Sequence, residues 1–347
     1  ELRGKDEWER ISWDEAYKTT VDAIHANQDK YGKETCIFMG GTSRIWSMAP
    51  YGAFKQLFGS PNGIQANEIC KGPRFYATAI DASNAYSWME VVGRPRVFVQ
   101  WGGASELSNY DDSCRTTVDV ATRADKHIIV DPRQTNLGKE ADIWVNLRPG
   151  TDGALALGLT NLMFQSGKFL AAEEMLTTWT NAPFLVDNEA RMMMREADLV
   201  EGGSDEHYVV WDKTAGAPAI WRPETEDFDR ADVKPSLMGA FEVTLKDGST
   251  KTCKTGLETY KDEVPAWTPE KVSAVTWAPV EKILEMFDII TNPTDDKPSL
   301  LTAYLGACMM TSNALQSGRA ITILQLLLNP PLDDKGGIYF NTFWEFM

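Results

Sequence analysis

Histidine and paired cysteine are what this chain most lacks. Its 347 residues include three histidines and five cysteines. His25, His127 and His207 are scattered, with no carboxylate or thiol at metal-ligand or triad spacing. His127 begins an apolar run and reads as packing; His25 lies on a helix pattern and reads as surface. Cys36, Cys70, Cys114, Cys253 and Cys308 form no C-x-x-C pair. A zinc site or iron–sulfur cluster built from this chain alone is therefore excluded as an expectation, and an odd count argues against a complete disulfide framework. Cys36 and Cys308 sit in apolar runs and read as buried packing. Basic residues are also scarce: 34 Lys and Arg face 50 Asp and Glu, a formal charge of −16. Non-specific nucleic-acid binding, which needs clustered cations against phosphates, is not expected. No run approaches the roughly 20 apolar residues of a membrane span. There is no well-placed G-x-G-x-x-G, which disfavours a nicotinamide-binding enzyme. No repeat or low-complexity tract is present.

Hydrophobic residues make up 43% of the chain, ample for about two domains. Ser12-Trp13-Asp14-Glu15 is a capping-box pattern opening an amphipathic helix within residues 7–30. Thr35–Met39 then reads as a strand, followed by Gly40-Gly41-Thr42-Ser43-Arg44 and a helix to about residue 58. Arg96–Trp101 is a second strand, running into Gly102-Gly103-Ala104-Ser105. His127–Val130 ends at Asp131-Pro132-Arg133, and Ile143–Val145 leads to Arg148-Pro149-Gly150-Thr151-Asp152. Helical patterns fall at about 111–124 and 152–167. Short apolar strands alternating with helices predict an α/β fold with doubly wound, mostly parallel sheets. Glu206–Trp221 and Ala240–Thr255 alternate apolar and polar residues around turn signals, predicting a small antiparallel β insertion over about 203–255. A helix is expected over 279–290, a strand over Leu300–Leu305, a loop over 306–313 and a helix over 315–328.

Glycines and acids just past strands stand where open α/β sheets take ligands. Gly102, Gly103, Gly150 and Thr151 can bring backbone N–H groups close to a pyrophosphate. Asp131 suits ribose hydroxyls, and Asp152 suits either a helix N-cap or a ligand that carries N–H donors. Arg133 divides between a structural and a phosphate-binding role. Trp46 and Trp101, beside glycine loops, are candidates to touch a ligand. Cys70, in Asn67-Glu68-Ile69-Cys70-Lys71-Gly72-Pro73-Arg74, is a thiol beside cations, which favour the thiolate, a soft metal ligand.

The run Asp131-Pro132-Arg133-x-Thr135, with Ala141-Asp142 and Arg148-Pro149-Gly150-Thr151-Asp152-x-Ala154-Leu155, resembles the molybdopterin oxidoreductases. That family is the superfamily of dimethyl sulfoxide reductase and formate dehydrogenase. The likeness runs from Trp8-Glu9-Arg10-Ile11-Ser12-Trp13 to Gly337. It implies a bis-molybdopterin guanine dinucleotide cofactor with molybdenum or tungsten. Cys70 would be the metal's protein ligand, since Cys70-Lys71-Gly72-Pro73 matches the register of the formate dehydrogenase ligand loop. Lys71 would orient substrate or move a proton. Gly102, Gly103, Ser105, Asp131, Pro132, Arg133, Thr135, Gly150, Asp152, Ser312 and Asn313 would bind the cofactor. The 306–320 phrase departs from the family pattern at Cys308, where glycine is common, and the later turn reads Leu328-Asn329-Pro330-Pro331. Those departures weaken the cofactor assignment of Ser312 and Asn313.

The resemblance further implies a fragment of a longer catalytic subunit, consistent with Glu1 rather than Met at the start. A 4Fe-4S cluster is expected in a preceding segment, and a separate iron–sulfur electron-transfer subunit as partner. The substrate would be a small molecule undergoing two-electron redox or oxygen-function transfer. The chain is expected to form one α/β domain from 1–65 and 266–347, and a second, dinucleotide-binding, from 66–265. Trp179–Val186 and Tyr208–Asp212 look like the acetylene hydratase and catechol dehydroxylase branch. The alternative is a non-catalytic electron-transfer subunit resembling the large iron–sulfur subunit of NADH dehydrogenase. Retained Cys70 and intact strand-end loops speak against it. Compartment stays open between exported and cytoplasmic.

Overall fold

The computed structural model describes residues 4–40, 45–64, 85–86, 93–108, 113–169, 173–292, 300–304, 311–328 and 339–340. It divides into two compact units, residues 1–72 with 343–347, and residues 73–342.

The first unit contains helix α1 (Trp13–Tyr31), strand β1 (Phe38–Met39), helix α2 (Ile45–Phe58) and strand β2 (Gly63–Ile64). The Ser12 side chain accepts the Glu15 N–H at 3.2 Å, as the capping pattern predicts. β1 and β2 pair in parallel. Phe38, Phe54 and Phe58 form an edge-on aromatic cluster between α2 and β1.

The second unit carries the main sheet. It begins with β3 (Ala85–Tyr86) and continues through β4 (Val97–Trp101), α3 (Ser113–Arg123), β5 (Lys126–Val130), α4 (Asn136–Glu140), β6 (Ile143–Val145) and α5 (Asp152–Ser166). Next come α6 (Glu173–Trp179), β7 (Leu185–Asp187), β8 (Tyr208–Asp212), β9 (Ala217–Arg222), β10 (Asp227–Phe228), β11 (Ala240–Thr244) and β12 (Thr250–Thr255). The rest is α7 (Gly256–Glu263), α8 (Pro269–Thr276), α9 (Val280–Thr291), β13 (Leu300–Tyr304), α10 (Ala314–Leu328) and β14 (Tyr339–Phe340), which pairs with β3.

Strand order in the main sheet is β13-β4-β5-β6, every pair parallel. The chain leaves β4 toward β5 and β6, while β13 joins β4 on its other side. The strand order therefore reverses between β13 and β4, the position at which doubly wound sheets bind ligands. Alternation within the strands gives two covered faces. Val97, Val99, Trp101, Ile128, Val130, Ile143 and Val145 share one core with α5, α8, α9 and α10. Phe98 and His127 stack on the opposite face, centroids 5.0 Å apart, and Ile129 meets α4 there.

α5 and α10 cross closely. A β-carbon at Gly153 would come within 3.2 Å of Ser317 on α10, so the approach depends on glycine. Arg96 is buried and ties α9 to the sheet, donating to the carbonyls of Ile289, Ile290 and Asn292 at 2.7–3.0 Å. A guanidinium there satisfies the orphan carbonyls of a helix end and complements its dipole.

The domain expectation differs from this arrangement. Residues 266–347 are expected to belong with 1–65 to the first α/β domain. Instead β13 hydrogen-bonds to β4, and α8, α9 and α10 pack on α5. Strand pairing is long-range, and hydrophobic periodicity carries no signal of which sheet a strand joins. The antiparallel insertion is as expected over 203–255, with β8–β9 and β11–β12 as hairpins. It also recruits β7, which pairs with β12. Cys36 is half-buried rather than buried, while Cys253 is fully buried.

His127, 6% exposed, is pushed down to about 4 by burial, against the pull of Asp142. The folded state therefore resists a proton that the unfolded chain accepts near 6.5, so stability falls as pH drops from there toward 4. Urea unfolding should show about 2 kcal/mol lost between pH 7.5 and 5 through this group, and His127→Phe should remove that part of the slope.

Candidate functional site

The carboxyl ends of β4, β5 and β6 bring the strand-end loops together. Trp101, the last residue of β4, is 1% exposed and its indole donates to Asp152 Oδ1 at 2.9 Å, also in the interior. Trp101 is thus not a surface that touches substrate. Its burial follows from an acceptor 51 positions along the chain, which local sequence does not announce. Asp152 is the first residue of α5; Thr151 is the N-cap. The helix-cap reading of Asp152 is replaced by this buried contact. Burial pushes the Asp152 carboxyl up, opposed by the Trp101 hydrogen bond, with Asp131 adding to the rise.

Asp131 follows β5. Its backbone N–H donates to Val145 at 3.2 Å, and its carbonyl accepts the Trp144 indole at 2.8 Å. Its carboxylate accepts the Arg133 N–H at 2.8 Å. Burial raises its pKa, the Arg133 N–H and charge lower it, and Glu106 raises it. Pro132 and the Arg133 side chain are exposed. Thr135 is buried and engaged as the N-cap of α4, accepting from Gly138 at 3.1 Å. That hydroxyl is already committed to a helix end.

In the glycine pair past β4, the Gly102 N–H is taken by the Val130 carbonyl at 2.8 Å, and the Gly103 carbonyl accepts from Gln100 at 2.6 Å. Only the Gly103 N–H of this pair is left for an anion. Ser105 begins a single helical turn, 105–108. Gly150 has φ +83, a conformation costly to any residue with a side chain, and it faces Thr311, which its β-carbon would meet at 3.6 Å. Ser312 and Asn313 are exposed just before α10. The structure therefore sets the Gly150 loop against the segment that opens α10. Thr311 Oγ1 and Ser317 Oγ are buried there without a hydrogen-bond partner. Buried hydroxyls rarely go unpaired, and each such group costs about 1–3 kcal/mol.

Gln100 and Glu106 carry no sequence signal as site residues, yet both converge here. Gln100 Nε2 donates to Glu106 Oε2 at 2.9 Å. An apolar strand pattern hides a polar residue whose partner lies in the following loop.

Cys70 and Lys71 lie outside the described residues, as do Gly41–Arg44 and Cys308. Among the described residues no cluster of His, Cys, Asp or Glu could hold a metal ion. No helix among them is long and apolar enough to cross a membrane. A cleft of about 2060 Å³ lies elsewhere, lined by α6, the insertion, α7 and part of α10, with Trp179, Trp221 and Arg230 in its wall. None of the expected site residues lines it.

A doubly wound sheet with acids, a glycine turn and unpartnered hydroxyls at its carboxyl edge has the geometry at which open α/β folds take ligands. The model of the molybdopterin oxidoreductase family matches residues 2–201, and the chain belongs to that family. It is 39% identical to dopamine dehydroxylase of Eggerthella lenta over 80% of this chain and 34% of that protein. It is 31% identical to acetylene hydratase of Syntrophotalea acetylenica over 51% of this chain and 24% of that protein. It is 24% identical to the alpha subunit of perchlorate reductase of Dechloromonas aromatica, over 82% and 33%. The fold is similar to the solved acetylene hydratase of Pelobacter acetylenicus, with a TM-score of 0.57 and 20% identity, over 93% of this chain and 33% of that one. The chain spans about a third of the length of the relatives it matches.

Trp101→Phe should destabilise the protein by about 2 kcal/mol in urea unfolding, because it strips the donor from a buried carboxylate. The loss should shrink in acid, where the raised Asp152 carboxyl is protonated. A pH-independent loss would mean that only packing was removed.

Proposed function

We propose that this chain is the dinucleotide-holding core of the catalytic subunit of a molybdenum or tungsten oxidoreductase that carries bis-molybdopterin guanine dinucleotide. The observation that carries the reading is the carboxyl edge of the parallel sheet. Acids, a glycine turn and two buried hydroxyls without partners meet there. The donor set fits the group: a guanine dinucleotide offers N–H and O–H donors for the acids, and phosphate oxygens for the hydroxyls and backbone N–H groups.

In this reading Gly103 and Gly150 approach the pyrophosphate with backbone N–H groups, while the Thr151 N–H is held by the Arg148 carbonyl at 3.2 Å. Thr311 and Ser317 supply hydroxyls, and Ser312 and Asn313 add contacts at the start of α10. Asp131 accepts from ribose. Asp152, one oxygen held by Trp101, turns the other to the guanine N1–H and amino group. Arg133 screens the acids and orders the turn through its own N–H. Cys70 ligates the metal as thiolate, and Lys71 holds or moves a proton beside it. The bound metal centre supplies the two-electron redox chemistry.

The substrate in this proposal is a small molecule that gains or loses an oxygen function. Likeness to a dopamine dehydroxylase supports removal of such a function from a small aromatic compound. Electrons arrive through a 4Fe-4S cluster outside this chain and an iron–sulfur partner subunit. Relatives described as alpha subunits support a multi-subunit assembly.

Metal and pterin analysis of the full-length protein tests the reading. Molybdenum or tungsten should co-purify with guanine-bearing pterin. Cys70→Ala should keep the pterin but abolish activity and change the metal's X-ray absorption spectrum by loss of one sulfur neighbour. Full activity with an unaltered spectrum would eliminate Cys70 as ligand, and a pterin-free protein would overturn the whole assignment.

A further inference from the structure

Two oxygens at the strand ends are buried without a donor. Gln100 is 3% exposed, and its amide nitrogen donates to the Gly103 carbonyl and to Glu106 Oε2. Both partners are pure acceptors, so the amide orientation is fixed and Gln100 Oε1 must itself accept. That atom has no partner, and neither has Glu106 Oε1. Glu106 is held further by its own carbonyl, which accepts the Cys114 thiol at 3.4 Å.

Asp131 belongs to the same place. Gln100 pairs in register with Ile129, and Asp131 follows two residues later, on the same side of the sheet by strand alternation. Glu106, held to Gln100 at 2.9 Å, is thereby brought to the same side, and Asp131 already takes the Arg133 N–H. Acceptors therefore outnumber donors on this side of the sheet's carboxyl edge. A phosphate there would face carboxylates and be repelled. A metal ion lacks the necessary ligands among the described residues. A neutral group with two adjacent O–H donors suits both the charge and the hydrogen-bond count.

We propose that Glu106 and Asp131 together read the 2′,3′-diol of the ribose, each accepting one hydroxyl. Gln100 is a positioning residue that clamps Glu106 and presents its own oxygen to the same diol. This rests on the guanine-dinucleotide reading above and adds a selectivity to it: the site distinguishes ribose from deoxyribose. An acid past a strand is the usual ribose reader of dinucleotide folds. The second acid, reached from the loop after the neighbouring strand, is the new element.

Equilibrium dialysis of the cofactor-free protein against GDP and 2′-deoxy-GDP tests it. GDP should bind about tenfold more tightly, the worth of one hydrogen bond to a charged acceptor. In Glu106→Gln the ratio should fall toward one, and Glu106→Asp should restore part of it. Gln100→Met should lower the ratio more than it lowers affinity for 2′-deoxy-GDP, which a merely structural role would not do. Equal binding of the two nucleotides by the unaltered protein overturns the diol proposal and leaves the dinucleotide reading standing. A ratio that survives Glu106→Gln in folded protein removes Glu106 from the assignment. If GDP does not bind at all, both readings fall. Should the variants not fold, the ratio in the unaltered protein still decides.

Discussion

The hydrogen bond from the Trp101 indole to the Asp152 carboxylate couples the two halves of the ligand edge. A buried indole N–H needs an acceptor, and a buried carboxylate needs a donor. Each supplies what the other lacks. The bond ties the end of β4 to the first turn of α5, and so fixes the Gly150 loop against the sheet. α5 in turn lies against α10 through the Gly153–Ser317 contact. The loops past β4 and β6 and the start of α10 are thereby held to one rigid frame. A site for a large, many-armed cofactor needs such a frame, since preorganised contacts avoid the cost of ordering loops on binding.

The edge divides electrostatically. Glu106 and Asp131 lie on the side of the sheet that carries Phe98 and His127, while Asp152 lies with Trp101 on the other. Burial keeps the carboxyls of Asp131 and Asp152 above their ordinary range, which moderates their mutual repulsion. Donors gather elsewhere, at Thr311, Ser317 and the Gly150 turn. A ligand with donors at one end and phosphate oxygens at the other satisfies both regions, and a simple anion or a simple cation satisfies only one.

Much of this was legible in the residues. The strands of the main sheet announced themselves as short apolar runs ended by glycine or acid, and the Ser12 cap and the insertion hairpins by turn chemistry. Burial and pairing were not legible. Trp101 beside two glycines looks like a contact residue until Asp152 is seen to claim its N–H. β7 and β12 are joined across about 70 residues of sequence, Thr255 opposite Leu185, and β13 finds β4 across a longer span, so neither neighbour could be read from local pattern. Helices α6 and α8 are short, seven and eight residues, and their periodicity is too brief to separate from loop. Gln100 and Glu106 escaped because a strand interior and a four-residue helical turn give no motif.

The β insertion shows why such a fold tolerates change away from the edge. It has its own core of Leu185, Met194, Val209, Ile220, Val243 and Cys253, separate from the core beneath the parallel sheet. Its polar anchors are internal too. Asp212 accepts from Arg230 and from the N–H groups of Thr214 and Lys234, and Asp187 pairs with Lys251. His207 lies between Glu196 and Glu224 at 2.7 and 2.9 Å, so both ring nitrogens face acceptors, an arrangement that only the imidazolium satisfies. None of these groups touches the strand ends. A module closed on its own core can be reshaped without shifting the Trp101–Asp152 bond. The large cleft beside it can therefore vary in shape and charge while the strand-end loops keep their geometry.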